Sequence, residues 1–133
     1  MIIVVGFTPT PPGQAALQAG IDAARRLGGS LVVLNSSRGD ALSDPSFAQE
    51  SDLAWVRATC AEAGIKASIR QEVRGREAAE ELLDVLSEVK ADLCVIGLRH
   101  RTPIGKMLLG SNAHQILMDA PCPVLSVKAS PHE

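Results

Sequence analysis

Five short segments of strand-like sequence, spaced along the whole chain, constrain its fold most strongly. Ile2 to Gly6 is a continuous β-branched run, which is typical of a strand buried on both faces of a sheet. Leu31–Leu34, Leu93–Ile96 and Val124–Val127 are similarly apolar. Ala67 to Val73 alternates between apolar and polar residues, which predicts a more exposed strand near the sheet edge.

Between these segments, apolar residues recur at helical spacing and predict four helices. The four stripes are Leu17, Ile21, Ala24 and Leu27; Leu53, Val56, Cys60 and Ala63; Ala78, Leu82, Val85 or Leu86, and Val89; and Ala113, Ile116, Leu117 and Ala120. Gly28 and Gly64 indicate the ends of the first two helices. The third is predicted over Glu77 to Lys90, and Ser111 is predicted to be the N-cap of the fourth.

The alternating order of strands and helices predicts a doubly wound α/β fold, an open five-stranded parallel sheet with helices on both faces. At 133 residues we expect a single domain, residues 1–133. The net charge of −2 argues against a protein that binds nucleic acid or a membrane surface. The N-terminal apolar run is too short for a signal peptide or a membrane span, so we expect a cytoplasmic protein.

The cysteines and the single tryptophan have mainly structural interpretations. Cys60, Cys94 and Cys122 lie among apolar residues without C-x-x-C spacing, so reduced, buried thiols are expected rather than metal ligands. The polar segment Asn35 to Ser46 is predicted to be a mobile loop. Trp55 lies off the apolar stripe of its helix, so it packs over the helix edge or under that loop, or else offers a stacking surface to a ligand.

A basic segment separates the fourth strand from the fourth helix, within the stretch Ala91 to Asn112. It carries Arg99, His100, Arg101 and Lys106. Gly110 follows it and has access to backbone angles closed to other residues. A helix that begins there directs free N–H groups and the positive end of its dipole toward the segment. The pattern predicts a phosphate or nucleotide site, and the alternative is a solvated basic loop.

Catalytic motifs are not visible in the sequence. Gly105-Lys106 resembles the end of a P-loop, but His100 and Met107 occupy the positions that need glycine and Ser or Thr. The sequence has no Ser/His/Asp pattern, no H-E-x-x-H motif and no carboxylate pair in the basic segment that would hold a metal ion. We therefore expect that the protein is not an enzyme, with a weak ATPase activity left open.

The stretch G-L-R-H-R-T-P-I-G-K-M-L-L-G-S-N, followed by a short helix and P-C-P-V-L-S-V, resembles the end of the universal stress protein family. Family members that bind ATP carry G-x2-G-x9-G-[ST] here; Gly97, Gly110 and Ser111 match it, and His100 replaces the second glycine. Thr8 stands where those members carry an acidic residue. The resemblance implies a Rossmann-like sheet of strand order 3-2-1-4-5 and a homodimer formed through the last strand, Val124 to Val127.

The resemblance and the positions of the strand ends give one set of predicted ligand-binding residues. The set is Gly6, Thr8, Leu34, Ile96, Gly97, Arg99, His100, Arg101, Lys106, Gly110, Ser111 and Asn112. The expected function is a stress-response module that binds ATP, a related nucleotide or another phosphate ligand at the carboxyl ends of the first and fourth strands. The alternative is a homodimeric interaction protein of the same fold that binds no nucleotide.

Overall fold

The computed structural model describes residues 1–37, 45–73, 75–98 and 110–129, in which strands and helices alternate in the predicted order. The strands are β1 (Ile2–Gly6), β2 (Ser30–Ser37), β3 (Ala67–Val73), β4 (Leu93–Leu98) and β5 (Val124–Lys128). The helices are α1 (Pro11–Leu27), α2 (Glu50–Glu62), α3 (Ala78–Glu88) and α4 (Ser111–Asp119).

β1 lies at the centre of a five-stranded parallel sheet of order β3-β2-β1-β4-β5. This confirms the predicted doubly wound α/β fold and its strand order. Ile2 of β1 lies opposite Ser30 of β2 on one side, and Ile3 lies opposite Leu93 of β4 on the other. Because the sheet extends in opposite directions from β1 and β4, a crevice is expected at the carboxyl ends of these two strands.

The hydrophobic core has two parts, one on each face of the sheet. Ile3 and Val5 of β1 pack in the part covered by α1 and α2, and Val4 packs in the part covered by α3 and α4. All three side chains are fully buried. Since successive side chains of a strand point to opposite faces, this burial confirms the prediction that the first strand is covered on both sides.

α1 ends at the glycine that the sequence predicts, and a threonine caps its beginning. Thr10 is the N-cap, and its Oγ1 accepts a hydrogen bond from the Gly13 N–H at 3.4 Å. Gly28 ends the helix in the left-handed region, with φ 70°. The prediction that Leu27 faces the core is wrong, because the helix ends at this residue and its side chain is 54% exposed.

β2 is longer than the sequence predicts. Asn35 to Ser37 were assigned to a loop because they are polar, but they continue the strand and pair with Gln71 to Val73 of β3. Asn35 is fully buried, and its side chain makes the hydrogen bonds that stabilise a polar residue there. Residues 38–44 of the predicted loop lie outside the described residues.

The boundaries of α3 and α4 differ from the predictions by one or two residues. α3 begins at Ala78 because Glu77 is its N-cap, and the chain leaves the helix before Lys90, which has φ 55°. α4 has Gly110 rather than Ser111 as its N-cap. The Gly110 carbonyl oxygen accepts the first intrahelical bond, from the N–H of His114 at 2.9 Å, and this bond places the cap one residue earlier.

All three cysteines carry free thiols. Cys60 and Cys94 are buried, as predicted. Cys122 is only partly buried, which corrects the prediction, because it lies just before the edge strand β5. Burial raises the pKa of the Cys94 thiol to about 12, so this thiol is neutral and a poor nucleophile at neutral pH.

Candidate functional site

A cleft of about 530 Å³ lies at the carboxyl ends of β1, β2 and β4. Helices α1, α3 and α4 contribute residues near their N-termini to its walls. The described lining residues are Gly6, Phe7, Thr8, Thr10, Pro12, Gly13, Leu34, Ser36, Pro45, Ser46, Ala78, Leu82, Ile96, Gly97, Leu98, Gly110, Ser111, Asn112, Ala113 and Ile116. The cleft therefore lies at the edge of the sheet where the sequence places the ligand site.

The predicted site residues that the structure describes all line this one cleft. They are Gly6, Thr8, Leu34, Ile96, Gly97, Gly110, Ser111 and Asn112. The other predicted contacts, Arg99, His100, Arg101 and Lys106, lie outside the described residues. The fold thus brings together residues from four separate parts of the chain, and their contact with a ligand stays a prediction.

The floor of the cleft is apolar. It consists of Leu34, Leu82, Ile96 and Ile116, which are at most 5% exposed and belong to the core under α3 and α4. Phe7 and Pro45 stand on the β2 side, and α4 begins on the β4 side. No lining residue within the described parts of the chain is charged. This arrangement can accommodate a molecule with an apolar ring at one end and a polar group at the other.

The N-terminus of α4 supplies hydrogen-bond donors to the β4 side of the cleft. Its cap, Gly110, makes no side-chain capping bond. The first N–H with an intrahelical acceptor is that of His114, so the N–H groups of Ser111, Asn112 and Ala113 have none within the helix. The Asn112 Oδ1 accepts a bond from the Ala79 N–H at 3.3 Å, which ties α4 to the start of α3. These donors and the helix dipole favour an anion.

The N-terminus of α1 offers fewer donors. Pro11 and Pro12 have no N–H, and the Gly13 N–H is bonded to the Thr10 hydroxyl. Thr8, at the position where the resemblance implies an acidic residue, has its Oγ1 2.7 Å from that of Thr10. The polar groups here are therefore hydroxyls already engaged with each other.

Gly97 and Gly110 are the motif glycines that the structure describes, and the physical case for a glycine differs between the two positions. A Cβ on Gly97 would lie 2.1 Å from the carbonyl oxygen of Pro12, so the approach of β4 to α1 requires a glycine. Gly110 has φ −67° and ψ 164°, which any residue can adopt, so it does not use the special backbone angles that are open to glycine. A Cβ there would meet none of the described atoms within 4 Å. Packing therefore explains Gly97 and does not explain Gly110.

Negative charges near the start of α3 are balanced by Arg76. Its guanidinium lies 2.6 Å from an Asp84 oxygen, 3.6 Å from the buried Glu81 and 3.7 Å from Glu80. The hydrogen bond to Asp84 is the main reason why the pKa of Arg76 is raised. Because Ala78 and Leu82 of the same helix line the cleft, this pairing limits the repulsion that an anionic ligand would meet there.

Trp55 packs on Phe7. The two rings are stacked with centroids 6.3 Å apart, and Trp55 remains 40% exposed. Phe7 lines the cleft, whereas Trp55 is not among the described lining residues. The packing interpretation of this tryptophan therefore fits the structure better than a stacking surface inside the cleft.

Asn35 and Gln71 support the cleft from behind, and the sequence analysis missed both. Their side chains are joined by a hydrogen bond of 2.9 Å. One feature of the sequence could have identified Asn35. It lies two residues beyond Val33, on the same strand face, which Leu31 and Val33 bury in the core. A polar residue that continues a buried face indicates a hydrogen-bonded role.

Comparison with known proteins places the chain in a family. A sequence model of the Universal stress protein family matches residues 1–128. A universal stress protein of Mycolicibacterium smegmatis is 45% identical over 131 residues, which are 98% of either chain. The chain belongs to the universal stress protein family. The element order and the cleft described above are therefore those of a member of this family.

Solved structures of universal stress proteins share the fold. The structure from Archaeoglobus fulgidus superposes with a TM-score of 0.82 at 28% identity, covering 96% of this chain and 98% of the other. A second structure from the same organism was solved in complex with dAMP; its TM-score is 0.70 at 24% identity, with 96% and 98% coverage. At this sequence identity, the similarity to the second structure supports the fold and nothing further.

Two searches of the described residues gave negative results. No group of at least three His, Cys, Asp or Glu side chains that would hold a metal ion occurs in residues 1–37, 45–73, 75–98 and 110–129. None of the helices in these ranges has the length and apolar character to cross a membrane.

Proposed function

We propose that the protein is a stress-response module that binds a nucleotide such as ATP, or another phosphate ligand, at the carboxyl ends of β1 and β4 without catalysing a reaction. The observation that carries the proposal is the pairing of an apolar floor with the N-terminus of α4, whose cap is a glycine, in one cleft. Such a cleft suits a molecule with a flat ring and an anionic group.

In this proposal the base lies over Leu34 and beside Phe7, and the phosphates lie at Ser111 and Asn112. Leu98 and Gly110 both line the cleft, so the basic segment that joins them is attached at the phosphate end. Arg99, His100, Arg101 and Lys106 then supply charge-assisted hydrogen bonds to the phosphates. This role is proposed from their position in the sequence.

Membership of a family in which one protein was solved with dAMP supports a nucleotide as the ligand. Thr8 and His100, in place of the acidic residue and the second glycine, indicate that the contacts differ from those of the family's ATP motif.

Isothermal titration of the purified protein with ATP, ADP, AMP and cAMP tests the proposal. Saturable binding of at least one of them is expected, together with a higher melting temperature in its presence, because a ligand that binds only the native state stabilises it. The absence of binding by all four and by inorganic phosphate would refute the proposed function.

The second candidate is a homodimeric interaction protein that binds no nucleotide. It is favoured by β5, a sheet edge on which Leu125 is 40% exposed, since an apolar edge strand can pair with a second copy. The hydrogen bond between Thr8 and Thr10, where the acidic contact is missing, is compatible with it. Nucleotide retained by freshly purified protein, detected by mass spectrometry, would count against this candidate.

A further inference from the structure

The side chain of Asn35 is fully buried, and every hydrogen-bonding position of its amide is used. Its Nδ2 donates to the carbonyl oxygens of Phe7 at 2.9 Å and Ser46 at 2.8 Å. Its Oδ1 accepts from the N–H of Ala48 at 3.0 Å and from Nε2 of Gln71 at 2.9 Å. A side-chain amide offers two donors and two acceptor lone pairs, so these four bonds fix its orientation.

Gln71 completes the arrangement from the neighbouring strand. It lies opposite Asn35 in the ladder between β2 and β3. Its Nε2 also donates to the carbonyl oxygen of Ala48 at 2.8 Å. The backbone at Ala48 is therefore held at both its N–H and its C=O by two side chains that come from two strands.

These bonds connect two chain segments that form the β2 side of the cleft. Phe7 and Ser46 both line it, and the Asn35 amide joins their carbonyl oxygens while its own side chain lies behind them, outside the lining. Pro45, next to Ser46, stands on the same side as Phe7. The position of these two segments thus depends on Asn35 directly and on Gln71 through Ala48.

We propose that Asn35 and Gln71 are positioning residues that set the width of the β2 side of the cleft and thereby the affinity for the ring of the ligand. The inference rests on the proposed function, since it concerns the same cleft. The phosphate end, at the N-terminus of α4, is attached to other elements and does not depend on these bonds. Loss of Gln71 therefore weakens recognition of the base and leaves recognition of the phosphate unchanged.

The Gln71→Ala variant tests this inference, because Gln71 lies on the edge strand and its removal leaves the core intact. The matched control is Ser68→Ala, an exposed position on the same strand. AMP and ATP are titrated into each protein, as are ribose 5-phosphate and tripolyphosphate, which carry the phosphate groups without a base. Hydrogen exchange of the Ala48 amide is measured in parallel.

For Gln71→Ala we expect a roughly fivefold weaker affinity for AMP and ATP, the size of the loss of one or two hydrogen bonds, and faster exchange at Ala48. Affinity for the ligands without a base should match that of the Ser68→Ala control, whereas the melting temperature should be lower by a few degrees at most, because the bonds that are lost lie within the folded protein. Equal nucleotide affinity in both variants would overturn the inference and leave the proposed function standing. Parallel loss for all ligands with a larger decrease in the melting temperature would show a general structural role instead. A wild-type protein that binds no nucleotide would refute the proposed function, and this inference with it.

Discussion

Gly97 of β4 contacts Pro12 of α1 so closely that a side chain at position 97 would collide with the helix backbone. An added Cβ would lie 2.1 Å from the Pro12 carbonyl oxygen and 2.5 Å from its carbonyl carbon. Backbone atoms in a first helical turn cannot rotate away as the end of a flexible side chain can. The first glycine of the motif is therefore needed for the packing of the sheet against α1.

Gly97→Ala should lower the free energy of unfolding by about 2 kcal/mol or more, because β4 and α1 must separate to admit the methyl group. Urea denaturation followed by circular dichroism measures the change. Gly6→Ala is the matched control on β1, since its Cβ would meet Leu82 at 3.5 Å and Ile96 at 3.6 Å, which are ordinary contacts. Equal stability of the two variants would contradict this account of Gly97.

Gly110→Val should weaken nucleotide binding at least tenfold while costing no more than about 1 kcal/mol of stability, the penalty of a poorer N-cap. The physical reason is that a side chain at Gly110 meets no described atom of the protein but would occupy space at the N-terminus of α4. Titration calorimetry and thermal unfolding measure the two effects. Met118→Val, on the exposed face of the same helix, is the control. Unchanged nucleotide affinity in Gly110→Val would show that the phosphate does not bind at the N-terminus of α4.

The three thiols should differ in their reaction with iodoacetamide at pH 8. Cys122 is partly exposed, whereas Cys60 and Cys94 are buried. Burial raises the pKa of all three thiols, so the access of the reagent decides the order of reaction. Mass spectrometry should find Cys122 alkylated first and the other two only after unfolding in urea. Cys122→Ser should then remove the fast phase. Early alkylation of Cys94 would contradict its burial.

The pKa of Cys94 also predicts how stability depends on alkaline pH. In the unfolded chain the thiol ionises near its ordinary pKa of 9.0, and in the folded protein it stays neutral up to about 12. The unfolded state therefore loses the proton first, and stability decreases as the pH rises from 9.0 toward 12. In Cys94→Ala the slope over this window should be smaller by up to about 1.4 kcal/mol per pH unit. Denaturant titrations at several pH values measure it, and identical slopes would contradict the assignment.

Leu125→Arg should convert the proposed homodimer into a monomer, because the charged side chain would stand on the exposed edge strand β5, where a second copy would pair in the proposed dimer. Light scattering after size-exclusion chromatography measures the mass. Leu27→Arg, at an exposed position at the end of α1, is the control and should leave the mass unchanged. A wild-type monomer at all concentrations would refute the dimer.

The parallel sheet and the place of the cleft could be predicted from the pattern of strands and helices, whereas the strand order was implied by the family resemblance. Runs such as Ile2 to Gly6 and Leu93 to Ile96 identify central strands by composition alone, and the carboxyl ends of parallel strands meet at one edge of the sheet. Gly97, Gly110 and Ser111 are far from Gly6 and Leu34 in the chain, yet the family motif and the ends of the strands together predicted that they would share a cleft.

The features that the sequence did not predict depend on contacts between distant residues or on the backbone angles of single residues. Asn35 belongs to a strand because it pairs with Gln71, 36 residues away, and no local pattern contains that partner. The cap of α4 lies at Gly110 rather than Ser111 because of the backbone angles of a single residue. Local propensity favours serine at a cap and does not distinguish two adjacent positions.

The stacking of Trp55 on Phe7 gives the protein a built-in optical probe. Trp55 is the one tryptophan of the chain, and the ring on which it rests forms part of the cleft wall. A molecule that enters the cleft and displaces or polarises Phe7 therefore changes the surroundings of the only indole. Its emission spectrum can report occupancy in solution without a label, and at protein concentrations too low for calorimetry.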